Sequence, residues 1–503
     1  MPAEPIRKLV IVGGGTSGWM CAAGLSRMLD PRQVSITLVE SDEIGTIGVG
    51  EATIPSLQTF NRLLGLDEAE FMRETKATFK LGIEFSDWTC AGDRYLHPFG
   101  VYGIHRQEVK FHHMWLRLQQ AGADVGDIGD YNLSLAAARL NRFGRRDERS
   151  SLPALRYAYH LDAGLYARQL RRYSEARGVV RREGMVSAVN QREDGFLSSL
   201  TLRDGATIEG DLFIDCTGFR ALLIGQTLGI GFEDWTHWLP CDRAVAQPCE
   251  SDGSFVPYTR AMADSAGWRW QIPLQHRTGN GYVYSSAHLD DDAAAARLTA
   301  MLPGRALADP LRLRFKAGHR HKLWDRNVIA VGLAGGFIEP LESTSIHLVQ
   351  TGISRLLLLF PDCGFDPALI DEFNRSSQLE YEQIRDFVIL HYKATRRDDT
   401  EFWRGCRDMS IPDSLRHKIE LFRAGGRIFR YADELFTEDS WLAVMLGQGI
   451  TPEGHDPVAD VIPSGEMQRA LASLRGAVLA AAEALPGHAD FIRSYCLSEG
   501  AKV

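Results

Sequence analysis

The sequence predicts an α/β fold built on a βαβ unit, joined to a second, more antiparallel sheet and a helical C-terminal part. Three observations predict it. The apolar run Leu9-Val10-Ile11-Val12 ends in Gly13-Gly14-Gly15-Thr16-Ser17-Gly18 and is followed by helical spacing of apolar residues. Two later apolar runs end in the same kind of small-residue turn, Leu212-Phe213-Ile214-Asp215-Cys216-Thr217-Gly218 and Asn327-Val328-Ile329-Ala330-Val331-Gly332-Leu333. From about 365 onwards the chain reads as helices, with Trp403 and Trp441 inside them.

The first run is a buried strand, and the helix after it turns Trp19, Met20, Ala23, Met28 and Leu29 inward. Gly13, Gly15 and Gly18 stand at the spacing of a dinucleotide fingerprint. Gly13 allows the tight turn, Gly15 lets backbone approach a pyrophosphate, and Gly18 lets helix and strand pack closely. The amides opening that helix, at Thr16 and Ser17, favour phosphate charge. A second strand, Val34 to Val39, ends on Glu40, placed to hold a ribose hydroxyl. The alternative is an ordinary βαβ unit with a Gly-rich turn, which would need neither this glycine spacing nor the closing acid.

Ile44 to Pro55, with Gly48-Val49-Gly50-Glu51-Ala52-Thr53 at its centre, is too rich in glycine for a helix or strand and reads as an ordered strap over the cofactor. Val49, Ala52 and Ile54 can pack, unlike the residues of a flexible spacer. Helical stretches follow around Leu57 to Leu64 and from Phe71 to Thr78, leading into a strand over Phe79 to Phe85. Residues 95–150 show weak periodicity and read as an insertion outside the first fold. A helix begins at Asp162. Strands are expected from Val179 to Val189 and from Leu197 to Thr207, with Asp204-Gly205 as a hairpin turn. Strands near Trp268 to Ile272 and Gly281 to Ser286 belong to the second sheet, placed at about 235–320. The organisation expected is an interleaved catalytic region over 1–360 and a helical covering region over 361–503.

Composition narrows the function. A net charge of −9 and the lack of a basic run interleaved with aromatics argue against a nucleic-acid partner. No apolar run reaches membrane-spanning length, and Leu356 to Phe360 is far too short. Eight cysteines without a C-x-x-C pair fit reduced thiols in a cytoplasmic protein. His112-His113 and the pair His319 and His321 lack companion cysteines, so no metal site is expected.

Three strand-to-glycine turns at these spacings resemble the flavoprotein monooxygenase fold, a Rossmann-type architecture that carries FAD. Within it the chain resembles the flavin-dependent halogenases of the tryptophan-halogenase type. Trp268-Arg269-Trp270-Gln271-Ile272-Pro273 fits the family's W-x-W-x-I-P pattern, and the strap Gly48 to Thr53 also matches. Lys80, in Phe79-Lys80-Leu81-Gly82, stands where the family has its catalytic lysine, and Glu342, in Pro340-Leu341-Glu342-Ser343-Thr344, matches the segment holding its second catalytic residue.

The resemblance implies that reduced FAD, O₂ and a chloride or bromide ion give hypohalous acid, which is channelled to Lys80 and Glu342 and halogenates an electron-rich arene such as an indole. It implies cofactor contacts at Gly13, Gly15, Thr16, Ser17, Gly18, Glu40, the strap residues Gly48 to Thr53, Asp215, Gly332 and Leu333. Backbone amides at Thr344 and Ser345 would hold the halide; the family often has glycine where Ser345 stands, and serine keeps the amide. His97 and Phe99 resemble an aromatic sandwich over an indole, and Trp268 and Trp270 alternate on a strand, facing one side. Around Asp439-Ser440-Trp441-Leu442 the aromatic and acidic set that grips free tryptophan is not found, which favours indole or a similar arene over the amino acid.

On position alone Lys80 would be a surface lysine on a strand edge, Ser343-Thr344 a plain helix cap, and Glu342 a carboxylate stabilising a helix start. No second dinucleotide fingerprint is present, so a separate NAD(P)H-dependent flavin reductase is expected to supply reduced FAD. Homodimers are common among relatives, and the sequence identifies no interface. The competing readings are a flavin-dependent aromatic hydroxylase, which would need neither Lys80, Glu342 nor the paired tryptophans, and a non-catalytic FAD-binding protein.

Overall fold

The computed structural model describes residues 4–44, 50–106, 108–145, 152–251, 253 and 255–501. The chain forms two compact units, each assembled from three separated segments. The first takes 1–77, 161–242 and 314–382; the second takes 78–160, 243–313 and 383–503.

The first unit is organised on a six-stranded sheet in the order Trp324–Asp325, Val328–Ala330, Leu212–Asp215, Lys8–Val12, Ser35–Glu40, Val180–Glu183. The four central strands run parallel, with Leu9 opposite both Ile36 and Leu212, and Asp215 opposite Ala330. Leu9, Val10, Ile11 and Val12 are all buried because both faces are covered, by the Thr16–Met28 helix on one side and, against Val10 and Val12, by Leu197, Leu200 and Leu202 of a three-stranded antiparallel sheet, which is why this strand reads as an unbroken apolar run. Each such side chain contributes about 1.5–3 kcal/mol on burial. The Thr16–Met28 helix packs on the Ala163–Glu175 and Ser345–Leu358 helices. The helix expected at Asp162 begins there, the Asp162 carboxylate accepting from the amide of Leu165.

One expectation is corrected in this unit and one holds. The stretch Val179 to Val189 is two strands: Val180–Glu183 joins the parallel sheet beside Ser35–Glu40, while Val186–Gln191 pairs with Leu197–Leu202. The Asp204-Gly205 hairpin is present, with Gly205 at φ +86°, and the returning strand is Thr207–Glu209.

The second unit holds a seven-stranded sheet ordered Leu311–Arg314, Arg243–Ala246, Thr278–Tyr284, Gly267–Pro273, Thr259–Asp264, Gly82–Ser86, Arg94–Pro98. The Thr259–Asp264 and Gly82–Ser86 strands run parallel, and the hairpins flanking them are antiparallel. The second sheet thus includes strands before residue 100, with Arg94–Pro98 at its edge. The continuous strand expected over Phe79 to Phe85 is broken at Leu81: Thr78–Lys80 pairs with Ala158–Asp162, and Gly82–Ser86 enters the large sheet. Leu81 spends its backbone groups elsewhere, donating to the Pro257 carbonyl and accepting from the Phe99 amide. Trp403 and Trp441 are buried in the helices Glu401–Asp408 and Glu438–Gly447.

Candidate functional site

In the first unit the parallel order sets the three glycine turns side by side at the carboxyl ends of adjacent strands, the usual location of ligands in open α/β sheets. Close approach explains the glycines. Gly13 takes φ +110°, and a Cβ there would stand 2.2 Å from the Cys216 carbonyl oxygen; one on Gly18 would stand 1.8 Å from the Gly13 oxygen. Gly332, at φ +70°, lies against Ser17, where a Cβ would meet the Ser17 Cβ at 2.9 Å. Gly15, which precedes the first turn of the helix, is different: a Cβ there would meet nothing within 4 Å. That open space beside first-turn amides fits a pyrophosphate.

Glu40 and Asp215 are held by contrasting partners. Glu40 Oε1 is 2.5 Å from Arg181 Nε and 3.8 Å from an Arg171 nitrogen, while Oε2 overhangs Gly14, 1.4 Å from where a Cβ would sit. The carboxylate is thus oriented by arginine and carried over the glycine turn, a geometry that fits a ribose hydroxyl. Asp215 is fully buried, and its carboxylate accepts from the Thr217 amide and hydroxyl and from the amides of Leu223 and Ile224. Its carboxylate is saturated by its own turn, so a cofactor there would meet backbone. The arginines were not legible as partners of Glu40, because Arg181 is 141 residues away in sequence.

Of the strap, Gly48 and Val49 lie outside the described residues. Gly50–Ala52 is a short strand, and Thr53 is buried. Burial raises the Glu51 carboxyl from the ordinary range to about 7. The folded protein therefore holds that proton more tightly than the unfolded chain, and this contribution to stability is complete at acid pH and lost as pH rises through about 7. Glu51→Gln is expected to raise Tm relative to the unsubstituted protein at about pH 8 and to change it little at about pH 5. Thermal melts at the two pH values check this; an equal shift at both would contradict it.

Glu342 ends a 3₁₀ turn, Pro340–Glu342, and is buried, as is Glu339. Ser343 follows at φ +61°, a left-handed residue that redirects the chain into the Ser345–Leu358 helix. Such strain costs on the order of 1–3 kcal/mol and tends to persist at functional sites. Thr344 occupies the N-cap position, yet its side chain makes no capping hydrogen bond. Its hydroxyl is fully buried and has no hydrogen-bond partner among the described residues. The first-turn amides of Ser345, Ile346 and His347 have no intrahelical acceptor. A buried, orphaned hydroxyl beside these donors suits a small anion and does not suit a plain cap.

In the second unit Lys80 is fully buried at the end of the Thr78–Lys80 strand, opposite Ala158. The surface-lysine alternative is excluded. Its Nζ lies 5.4 Å from the centroid of the Phe99 ring. Two histidines fix this strand. Thr78 Oγ1 donates to the Pro273 carbonyl at 2.6 Å, so His160 Nδ1, 3.1 Å away, must donate to Thr78. His160 Nε2 then accepts from the Thr259 hydroxyl at 2.9 Å. His488 Nε2 accepts from the Phe79 amide, while its Nδ1 donates to the Phe255 carbonyl at 2.6 Å. Both rings are neutral: burial, then the charge of Lys80, holds His160 well below its ordinary range, and burial lowers His488 to about 4. Lys80 therefore has no imidazolium competing beside it.

The aromatic candidates divide. Trp268 is buried against Trp88, whereas Trp270 is half-buried, its ring 6.1 Å from that of Trp268 on the same strand face. Gly281, opposite Trp270, makes room for it, since a Cβ there would stand 2.0 Å from the indole. His97 is buried among Phe387 and Phe436, at 5.6 and 6.4 Å between ring centroids, while Phe99 is half-buried beside Lys80. Gly82 allows the two segments to close, a Cβ there falling 2.4 Å from the His97 oxygen. Asp439 is committed to the Tyr102 amide, and Trp441 packs on Phe387 with Lys418 Nζ 4.9 Å from its ring centroid.

The model of the tryptophan halogenase family matches residues 8–464. A tryptophan 7-halogenase from Lentzea aerocolonigenes is 36% identical over 488 residues, covering 90% of this chain and 91% of that protein. Among solved structures, a flavin-dependent halogenase from Xanthomonas campestris superposes with a TM-score of 0.95 at 55% identity, over 98% of this chain and 99% of that one. A second flavin-dependent halogenase, from Brevundimonas sp. BAL3, superposes with a TM-score of 0.93 at 47% identity, over 97% of this chain and 99% of that one. The chain belongs to the tryptophan-halogenase family of flavin-dependent halogenases.

Proposed function

We propose that this halogenase places chlorine or bromine on indole or a related electron-rich arene, with Lys80 and Glu342 as its catalytic residues. The observation that carries the reading is the complete burial of Lys80 beside an aromatic ring, at the end of a strand whose Thr78 and Phe79 are held by two neutral histidines. Reduced FAD with O₂ supplies the oxidising equivalents that convert a halide to hypohalous acid. Thr344 and Ser345 hold the halide through the amides and dipole of the helix start. Lys80 donates an N–H to the oxygen of hypohalous acid and polarises its oxygen–halogen bond. As the arene carbon–halogen bond forms, the oxygen–halogen bond breaks, the oxygen leaves as water after taking a proton from the Lys80 ammonium, and the ring proton passes to Glu342 as general base. Trp268, Trp270, His97 and Phe99 provide the aromatic surroundings for the arene. The aromatic hydroxylase reading finds no use for a buried lysine or the paired tryptophans.

No helix among the described residues is long and apolar enough to cross a membrane. A separate NAD(P)H-dependent reductase delivers the reduced flavin, so the purified chain with FAD and NADH alone does not oxidise NADH at a catalytic rate. With a reductase added, kcat/KM for indole exceeds that for free tryptophan, and Glu342→Gln lowers kcat on indole by about 100-fold. A preference for tryptophan would overturn the substrate reading, and an unaffected Glu342→Gln enzyme would overturn the general-base role.

A further inference from the structure

A buried hydrogen-bonded chain lies behind the halide-holding turn, and none of its members belongs to the catalytic set above. His347, in the first turn of the Ser345–Leu358 helix, is 9% exposed. Its Nε2 is 3.1 Å from Glu380 Oε1 on the long Pro367–Lys393 helix, and its Nδ1 is 3.1 Å from the Ser56 hydroxyl. Ser56 opens the Ser56–Leu64 helix, three residues after the buried Thr53 at the end of the strap, and donates to Gln350 Oε1 at 2.8 Å. Glu380 Oε2 accepts from Arg355 at 2.7 Å and from the Thr351 hydroxyl at 2.9 Å. Burial raises the Glu380 carboxyl, but the His347 hydrogen bond and the Arg355 charge outweigh it and hold the group below the ordinary carboxylate range.

Glu380 is an acceptor, so His347 Nε2 carries a hydrogen whatever the state of Nδ1. Ser56 has one hydroxyl proton. While it is donated to Gln350, His347 Nδ1 must donate to Ser56 as well; with the Gln350 amide reversed, Ser56 donates to His347 and the otherwise unpartnered Gln350 Nε2 donates to Ser56. Both arrangements keep one bridge intact: the strap's helix, the halide helix and the Pro367–Lys393 helix meet at this ring. The far side of Glu380 lines a small cavity with Gly332, Arg355, Ser377 and Tyr381, so the third glycine turn adjoins the same anchor.

We propose that His347 is a positioning residue for the halide site, aiming the Thr344 and Ser345 amides by tying the first turn of their helix to Ser56 and Glu380. This rests on the reading that those amides hold the halide. A buried, hydrogen-bonded anchor in the first turn of the helix fixes the direction in which its dipole and free amides point. Losing it weakens anion binding without touching the arene or the flavin.

The test is bromide titration of the FAD-loaded full chain, followed by the flavin absorbance change, alongside steady-state halogenation of indole with a reductase. His347→Ala is expected to raise both the bromide Kd and the bromide KM about tenfold, with kcat at saturating bromide, indole KM and FAD Kd within about twofold. His347→Gln, which keeps a donor toward Glu380, restores most of the bromide affinity, and Glu380→Gln behaves like His347→Ala. An unchanged bromide Kd in His347→Ala, or parallel losses for bromide, indole and FAD, would overturn the proposal. Absence of bromide binding by the unsubstituted protein would instead overturn the halide site on which it rests.

Discussion

Lys80→Met lowers the rate of arene halogenation by about a thousandfold while leaving FAD affinity and reductase-supported oxygen consumption unchanged. The expectation follows from where the charge sits. Lys80 is fully buried, its strand is clamped through Thr78 and Phe79 by two neutral histidines, and its ammonium faces an aromatic ring. Methionine fills nearly the same volume, so packing survives and only the N–H donor is lost. An oxidant generated without that donor has no group to hold it, and it escapes or decays. Trapping free hypohalous acid with a diffusible scavenger while following brominated indole separates the two steps. Retention of arene halogenation in Lys80→Met would remove the lysine from the mechanism.

The second large effect is a contrast between two glycines of the same turn. Gly15→Ala introduces a methyl into open space, whereas Gly18→Ala drives one to within 1.8 Å of the Gly13 oxygen. Gly15→Ala should therefore keep the Tm of the cofactor-free protein within the range of a neutral substitution, about 0.5 kcal/mol. FAD binding should nevertheless weaken by about 100-fold, close to 2.8 kcal/mol, because the methyl stands where the pyrophosphate approaches. Gly18→Ala should lose both, with destabilisation of about 1–3 kcal/mol from overpacking. Calorimetric titration with FAD and thermal melts of the two variants check the pair. A Gly15→Ala protein that binds FAD normally would place the pyrophosphate elsewhere.

The parts of this arrangement that were legible in the sequence are those whose signal is local. Gly13, Gly15 and Gly18 announce a turn because their spacing lies within six residues, although the Cys216 carbonyl that Gly13 makes room for is brought in only by folding. Trp268 and Trp270 share a face because a strand alternates. The fit of Glu342-Ser343-Thr344 to a helix start was likewise local, although Thr344 proved not to cap the helix with its side chain. The features that were not legible depend on strands and helices meeting at long range. Ser56 and His347 are 291 residues apart, and Glu40 and Arg181 are 141 apart, so neither pair has a spacing to read. The break at Leu81 was hidden for the same reason: Phe79 to Phe85 reads as one apolar strand, and only the Pro257 carbonyl and the Phe99 amide, brought in by folding, draw its backbone out of the ladder. Arg94–Pro98 carries too little alternation to stand out, and its place at the sheet edge comes from pairing with Gly82–Ser86.

The most direct measurement is the mass of the product formed from indole by the purified protein with FAD, a flavin reductase, NADH and bromide. The expected product shows the paired isotopic masses of a monobromoindole, formed only when bromide is present and absent in Lys80→Met. A product heavier than indole by one oxygen, formed equally well without bromide, would contradict it.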